Sequence, residues 1–415
     1  MDQEKKSPLF SIIIPTLGKT DLWIEAIHSV RAQSFTDWEI IAIDSGEEVF
    51  SLSLIERMDD KRIIYINTSK ENPRLNWDTG YRRSSGRFIL WLDDDNYLLP
   101  HALETLSSMI HTQGAQCDFV TANHVHWNDH FHPINRIRNH LVIPRRLFSG
   151  SVIDIDPDNA VRKLFGIPYD GPDIFARFHT SAQAIRREVV DSLIKKIGKI
   201  DFGSTSTHSL RIGALALSKR ILFADIVIAL IAQSGKSMSM LWPKESSSIK
   251  HVSYKYNLSE VSANTYINYV HENHLLLKKI FGQEMDKFSL PRTTFLNAYA
   301  QSLIYSDVSW RQLQNYWDQI YDKVKDSPEP ELKSLKNKIP IYRALSIFGR
   351  ILRFVGLYGH MQKLFTSFRK SSKDQILIDL APYKVVSMKD CAEKLPIIIE
   401  KEMGMKYTNF LNGRY

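Results

Sequence analysis

The sequence predicts an α/β fold, with a mostly parallel sheet that carries helices on both faces, followed by a mainly α-helical C-terminal region. Short β-branched runs alternate with helical patterns over the first 125 residues, which is typical of βαβ units. From about residue 250 the pattern turns helical. The chain has 415 residues, of which 43% are hydrophobic and 24% charged, so it can bury a sizeable core. This length suggests about two or three domains.

The strands and helices of the first region follow in a regular order. The strand-like runs are Phe10–Ile14, Glu39–Ile43, Arg62–Ile66, Phe88–Leu92 and Cys117–Ala122. A first helix is predicted from Thr20 to about Gln33, because Thr20 can cap it and apolar residues then repeat at helical spacing. A short helix is expected between Asn72 and Ser85, and another begins near Pro100, a residue that suits a first helical turn.

The fourth strand runs directly into three consecutive carboxylates, Asp93, Asp94 and Asp95. Open α/β sheets bind ligands beyond the carboxyl ends of their strands, which is where these acids would lie. Three adjacent negative charges need a compensating cation, and oxygen ligands suit Mg²⁺ or Mn²⁺. In isolation the same three acids favour a solvated acidic turn, so the preceding motifs decide between the two interpretations.

Ordered motifs over the first quarter of the chain resemble glycosyltransferase family 2. These motifs are Ser11–Thr16, Ala32–Ile41, Ile43-Asp44 and Gly86–Asp95. Each is weak alone, but their order and spacing together are specific. The resemblance implies the Rossmann-like GT-A fold and the transfer of a sugar, with inversion, from a nucleoside diphosphate.

The same resemblance implies roles for individual residues. Pro15 and Thr16 would lie beside the nucleoside, and Asp44 would face the base. Asp93 and Asp95 match the outer positions of the DxD motif and would hold Mn²⁺ or Mg²⁺, Asp95 above all, while Asp94 would touch the ribose or the sugar. Such a metal would stabilise the charge that grows on the diphosphate leaving group. The alternatives are a plain strand end for Thr16 and a turn former for Asp44.

One stretch departs from the pattern of the family. Trp77 and Asp78 stand where many relatives carry an Arg-Asn pair whose arginine reaches the diphosphate. We therefore predict Asp78 at the donor site, with Arg74, Arg82 or Arg83 supplying the positive charge. The alternative is a solvated helix face. Asn96 also departs from the family, because many relatives carry a fourth acid at this position, directly after the three acids.

The catalytic base and the closing loop are predicted further along the chain. The position of the acid that relatives carry before a helix falls on Thr207 or His208. His208 could act as the base because the unperturbed pKa of histidine lies near neutrality, and Asp201 is the other candidate. A helix cap is the alternative for His208. Lys236 is predicted to clamp the diphosphate, against the alternative of a flexible surface loop.

Five histidines crowd one segment: His124, His126, His130, His132 and His140. The spacing of His124 and His126 would put both imidazoles on one strand face, as in a zinc pair. No cysteine accompanies them, so a polar loop over the mouth of the site is the interpretation that we favour.

The C-terminal third is basic. We predict a GT-A domain over residues 1–245, a helical extension over 246–326 and a basic, amphipathic helical region over 327–415. From Lys333 through Lys373 there are ten Lys and Arg and no Asp or Glu, which is enough to account for the net charge of +8. An apolar stripe repeats within it at Ile341, Leu345, Phe348, Leu352 and Val355. This pattern favours an anchor on a membrane surface, and the alternative is a helix packed on its own domain.

Together these features predict an inverting, metal-dependent glycosyltransferase. Its donor would be a nucleotide sugar, most readily a UDP-sugar, and its acceptor a glycan or lipid-linked hydroxyl in bacterial surface-polysaccharide biosynthesis. No apolar run approaches ~18 residues and no signal region begins the chain, so we expect a cytoplasmic protein, peripheral on the inner face of the plasma membrane. Cys117 and Cys391 are expected as free thiols. An anionic membrane surface is an expected partner and nucleic acid is not. The alternative is a catalytically silent GT-A domain that binds or scaffolds.

Overall fold

The computed structural model describes residues 7–17, 20–46, 50–69, 75–112, 117–132, 137–144, 148–164, 178–200, 206–233, 266–288, 292–304, 309–354 and 375–412. These residues fall into two compact units. The first unit contains the described residues up to 233 together with 375–412, and the second contains 266–354.

The described strands all belong to the first unit. They are β1 Phe10–Thr16, β2 Trp38–Asp44, β3 Ile63–Asn67, β4 Phe88–Trp91, β5 Asn96–Leu98, β6 Phe119–Asn128, β7 His140–Pro144, β8 Val152–Ile155, β9 Gln183–Arg186, β10 Ile221–Gln233 and β11 Gln375–Asp379. The helices before the second unit are α1 Thr20–Arg31, α2 Phe50–Arg57, α3 Asn76–Arg83, α4 Ala102–Thr112, α5 Pro157–Leu164, α6 Arg187–Ile197 and α7 Ser206–Leu217.

These strands form one sheet in the order β11-β7-β6-β9-β4-β1-β2-β3, and β10 pairs with β5, β6 and β8. The block β4-β1-β2-β3 is parallel throughout, and β6 and β10 also pair in parallel. The predicted first four strands therefore align their carboxyl ends at one edge. The predicted α/β class, with a mostly parallel sheet, is confirmed.

Alternate residues of β1 face opposite layers. Ile12 and Ile14 pack in the same buried cluster as Trp23 of α1. On the other face, Gly80 of α3 lies so close to the sheet that an added Cβ would fall 2.5 Å from Ile13 Cγ2. The helices therefore cover both faces, as predicted, and the glycine allows α3 its close approach.

The histidine-rich segment is strand at its two ends, whereas His130 and His132 lie between the strands β6 and β7. His124 and His126 lie on β6, where they alternate with Val125 and Trp127. Val125 and Trp127 are buried in an apolar cluster, so this alternation is the period of two of a strand. His124 and His126 therefore share one face of the strand, as their spacing predicts.

The structure differs from the predicted domain division at the C-terminal end. Strand β11 pairs antiparallel with β7. It is followed by the helices α12 Met388–Met403 and α13 Tyr407–Asn412. Helices α8 to α11 belong to the second unit and are given below. Leu395 of α12 joins the buried cluster that contains Val125. Residues 375–412 therefore complete the first unit. The pairing of β11 with β7 joins residues that are far apart in the sequence, and local patterns carry no information about such contacts.

The second unit is helical, as predicted for the C-terminal region. Its helices are α8 Tyr266–Phe281, α9 Arg292–Leu303, α10 Trp310–Val324 and α11 Pro330–Phe354. Tyr299, Trp317 and Leu335 belong to its buried core. Helix α11 begins at a proline, whose missing N–H is not needed in a first turn. Among the described helices, none combines the length and apolarity that crossing a bilayer requires.

Candidate active site

The predicted donor residues meet at the carboxyl edge of the parallel strands. Thr16 at the end of β1 is directly opposite Asp44 at the end of β2, and Asp44 is opposite Asn67 of β3. Pro15 precedes Thr16 in β1 and is half-buried. Asp93 follows β4, the other neighbour of β1. Parallel pairing therefore brings together residues that lie up to about 80 positions apart in the sequence.

The three acids form a turn that is held by β1. The Asn96 backbone N–H donates to the carbonyl oxygen of Asp93 at 3.1 Å, which closes the turn. The Thr16 hydroxyl donates to Asp94 Oδ2 at 2.8 Å, and both side chains are buried. The hydrogen bond joins the first motif of the sequence to the acidic motif.

Asp93 is held by two neighbours that the sequence did not assign to the site. The Asn96 amide donates to Asp93 Oδ2 at 3.1 Å and to the Ser181 hydroxyl at 2.8 Å. The Asp93 backbone N–H donates to the same hydroxyl at 3.2 Å, and the Ala232 N–H donates to Asn96 Oδ1 at 3.1 Å. Asn96 therefore ties the acidic turn to β10 and to the short 3-10 turn Thr180–Ala182.

The acidic turn offers the kind of ligand that a divalent ion uses beside a diphosphate. Asp95 is 7% exposed and Asp94 8% exposed, so these carboxylates lie in the mouth of the sheet edge and not on an open surface. Within the described residues, no group of three or more His, Cys, Asp or Glu side chains could hold a metal ion by itself. Mg²⁺ commonly takes one or two carboxylates and completes its shell with substrate phosphates and water. The donor set fits such a shared site.

Asp44 is 1% exposed and makes local contacts. Its Oδ1 accepts the Gly46 N–H at 2.8 Å, and the Tyr65 hydroxyl donates to its Oδ2 at 3.3 Å. Burial raises the pKa of Tyr65, and the nearby Asp44 charge adds to that rise, so the hydroxyl keeps its proton. The hydrogen bond from the Gly46 N–H is typical of a turn, which agrees with the alternative interpretation of Asp44 as a turn former.

A triangle of small polar side chains lies behind Asp44, and the sequence did not predict it. The hydroxyls of Ser45 and Thr68 are 2.8 Å apart, and the Thr68 hydroxyl is 3.0 Å from Asn76 Oδ1. The Asn76 amide donates to the Ser45 hydroxyl at 2.6 Å. These contacts fix the start of α3 against the ends of β2 and β3. The one feature of the sequence that could have indicated these contacts is the position of Ser45 and Thr68, each of which lies just after a predicted strand.

The departure at Trp77 and Asp78 has a structural account. The Trp77 ring stacks on that of Trp91, with centroids 5.5 Å apart and planes 8° apart. Asp78 Oδ1 accepts the backbone N–H of Ile200 at 2.8 Å. Asp78 therefore holds the chain immediately before Asp201. Arg82 and Arg83 are both exposed at the end of α3.

The residues predicted for the catalytic side lie largely outside the described part of the chain. His208 lies in the first turn of α7, and its side chain is outside the described part of the chain. Asp201, Lys236 and Arg74 also lie outside it. Their predicted roles stay predictions.

Three histidine rings pack together beside the acidic turn. The His124 centroid is 4.9 Å from that of His126 and 5.1 Å from that of His179. His179 Nδ1 accepts the Ser181 N–H at 3.2 Å. Burial lowers the pKa of His179 to about 3, helped by the charge of Arg211, so this ring is neutral near pH 7.

Comparison with known proteins agrees with this geometry. The profile described as Glycosyl transferase family 2 matches residues 11–192. The Campylobacter jejuni protein named GalNAc(5)-diNAcBac-PP-undecaprenol beta-1,3-glucosyltransferase is 38% identical over 103 residues, which are 24% of this chain and 33% of that protein. Staphylococcus aureus poly(ribitol-phosphate) beta-N-acetylglucosaminyltransferase TarS is 24% identical over 106 residues, which are 24% of this chain and 18% of that protein. The matches thus span a third or less of the length of these curated relatives.

A solved structure shares the fold. The crystal structure of Staphylococcus aureus TarS 1-349 in complex with UDP-GlcNAc aligns with a TM-score of 0.51 and 15% identity, over 81% of this chain and 88% of that one. The matched profile covers the strands and motifs that form the carboxyl edge of the sheet. Residues 11–192 therefore match the glycosyltransferase family 2 profile, and the chain shares its fold with a transferase of the GT-A type.

Proposed function

We propose that this chain transfers a sugar, with inversion, from a nucleoside diphosphate to a hydroxyl of a glycan or a lipid-linked glycan in bacterial surface-polysaccharide biosynthesis. The donor class that we propose is a UDP-sugar. The observation that carries the proposal is the bond between the Thr16 hydroxyl and Asp94 Oδ2, because it joins the nucleoside-side motif to the acidic motif at one sheet edge.

Asp95, with Asp93, is the proposed holder of Mn²⁺ or Mg²⁺. The ion would supply stabilisation of the charge that develops on the departing diphosphate. The protein's part is to present the carboxylates in a fixed orientation. Ser181 and Asn96 hold Asp93, and Thr16 holds Asp94, so little reorganisation is needed when the donor binds.

The remaining protein groups have proposed roles on either side of the sugar. Pro15, Thr16 and Asp44 line the nucleoside side, and Lys236 binds the diphosphate. His208 or Asp201 takes the proton of the attacking hydroxyl. The hydrogen bond from the Ile200 N–H to Asp78 supports the role proposed for Asp201, because it holds the residue that immediately precedes Asp201.

The acceptor class rests on the relatives. One is named for GalNAc(5)-diNAcBac-PP-undecaprenol and another for poly(ribitol-phosphate), and both proteins come from bacteria. We extend this class to the present chain. A cytoplasmic location at the inner face of the plasma membrane, and the lack of a nucleic-acid partner, remain predictions.

Release of nucleoside diphosphate from a panel of UDP- and GDP-sugars tests the proposal. Purified protein should release UDP from at least one donor when Mn²⁺ or Mg²⁺ is present, and EDTA should stop the release. Asp95→Asn should lower metal-stimulated turnover at least about 100-fold, because a metal contributes several kcal/mol to stabilising the transition state.

Glu56→Gln is the matched control, because Glu56 is an exposed acid on α2 away from the sheet edge. It should leave turnover unchanged. Donor binding without any turnover, even with glycan acceptors, would support the silent binding domain instead. Metal-stimulated turnover retained in Asp95→Asn would contradict the role of Asp95. Unchanged turnover in both His208→Gln and Asp201→Asn would mean that neither residue is the base.

A further inference from the structure

Helix α11 has two different faces along its length. Leu332, Leu335 and Ile339 are buried in the core of the second unit. Further along, Ile341 is 60% exposed and Phe348 is 50% exposed. These two residues are seven positions apart, so they lie on the same side of the helix.

Ile351 extends this exposed apolar stripe. It is 54% exposed and follows Phe348 by three positions, which keeps it on the same side. Leu345, which lies between Ile341 and Phe348 in the sequence, is half-buried. We define the outer stripe of α11 as Ile341, Phe348 and Ile351. The predicted members Leu352 and Val355 have no described side chains.

Positive charge accompanies the outer stripe, since Glu331 in the first turn is the one acid of α11. Residues 332–354 contain six cations and no Asp or Glu, namely Lys333, Lys336, Lys338, Arg343, Arg350 and Arg353. Lys333 and Lys338 are exposed. Arg343 also bonds to Asp318 of α10 at 2.5 Å, which uses part of its charge within the unit. The other cations leave a clear positive excess along the helix.

Charge complementarity selects the occupant of this surface. An apolar stripe beside cations, on a helix whose other face is buried, is the arrangement of interfacial helices that insert among anionic lipid headgroups. A second copy would bring two sets of cations together, and like charges oppose such an interface. A purely apolar partner would leave the cations without a role.

We propose that the outer stripe of α11, with Lys333 and Lys338, docks on an anionic membrane surface. This surface belongs to the second unit and does not depend on the sugar-transfer chemistry. Its ligand is the phosphate-bearing headgroup layer of a bilayer, with the three apolar side chains inserted at the boundary with the acyl chains.

Co-sedimentation of the full chain with vesicles tests the proposal. Vesicles of phosphatidylcholine with about one third phosphatidylglycerol should bind the protein, and pure phosphatidylcholine should bind it at least ten-fold more weakly, because each cation near an anionic surface contributes a factor of about five. The double variant Phe348→Glu/Ile351→Glu should lose at least about ten-fold in affinity for the anionic vesicles.

Trp310→Glu is the matched control. Trp310 is 50% exposed, lies in the same unit and begins α10, where an acid is favourable. It should bind anionic vesicles like the unmodified chain. The double variant Lys333→Gln/Lys338→Gln should weaken binding by about 30-fold, and high salt should weaken it further.

Equal vesicle binding by Phe348→Glu/Ile351→Glu and Trp310→Glu would overturn the proposal, as would equal binding to both lipid compositions. Concentration-dependent dimerisation that the stripe variant abolishes, in a chain that does not bind vesicles, would assign the stripe to a second copy instead. Circular dichroism and release of UDP from the donor report whether the variants are folded. Failure of vesicle binding in a chain that still releases UDP would refute the docking surface and leave the proposed transferase function standing.

Discussion

Replacing Asp78 with alanine tests how the catalytic side of the site is positioned. Asp78 Oδ1 accepts the backbone N–H of Ile200 at 2.8 Å, and Ile200 is fully buried. Alanine would leave that N–H without this acceptor. A buried donor that loses its partner costs about 1–3 kcal/mol. We therefore expect the free energy of unfolding of Asp78→Ala to fall by about that amount in urea denaturation.

Asp78→Asn is the matched variant, because its side-chain oxygen can still accept the N–H of Ile200. It loses only the charge of the bond, so its free energy of unfolding should fall by about 1 kcal/mol or less. The difference between the two variants isolates the acceptor. If both variants unfold at the same urea concentration as the unmodified protein, the bond does not hold this segment.

Kinetics of the same two variants separate positioning from donor binding. A shift of the chain near Asp201 by about 1 Å can cost 100-fold in turnover. Asp78→Ala should therefore lower kcat while the Kd for the nucleotide sugar stays unchanged. A weaker Kd in both variants, with kcat retained, would instead favour the donor contact that the sequence predicts for Asp78.

Three further changes probe the same sheet edge. Thr16→Val should lower the free energy of unfolding by about 1–2 kcal/mol because Asp94 loses a buried donor, whereas Thr16→Ser should not, and equal urea midpoints for the two would contradict the bond. The pKa of His179 is lowered to about 3, so the unfolded chain binds that proton first and the free energy of unfolding should fall as pH drops below about 6.5. His179→Asn, whose side-chain oxygen can still accept the Ser181 N–H, should flatten part of this fall in urea titrations at pH 4–7, and an unchanged slope would refute the assignment. Gly80→Ala should cost about 1–3 kcal/mol by thermal or urea unfolding because its Cβ would meet the sheet at 2.5 Å, and wild-type stability would show that α3 can move away freely.

Local patterns were sufficient for the parallel half of the fold. The run Phe88–Leu92 and the β-branched run Phe10–Ile14 each predicted a buried strand, and both strands form. Parallel strands in one sheet align their carboxyl ends, so the meeting of Thr16, Asp44 and Asp93 follows from the order of the motifs. That inference needed no contact information beyond strand type.

The supporting contacts could not be predicted in this way. Ser181 holds Asp93 from 88 positions away, and Asp78 holds the N–H of Ile200 from 122 positions away. A serine or a buried aspartate has many places where its hydrogen bonds can be satisfied. Only the packed fold selects the partner, because desolvation makes each unpaired group costly at the position where it is buried.

The sequence by itself determined the sheet edge that we propose as the donor side: the strand type, the order of the motifs and the row of acids. These are encoded in short stretches, because hydrophobic period and chain order are local properties. Only the tertiary structure decided that β11 returns to β7 and that Asn96 ties the acidic turn to β10. Those outcomes depend on which surfaces meet when the chain is compact, and the free energy of such contacts is not a property of any single stretch.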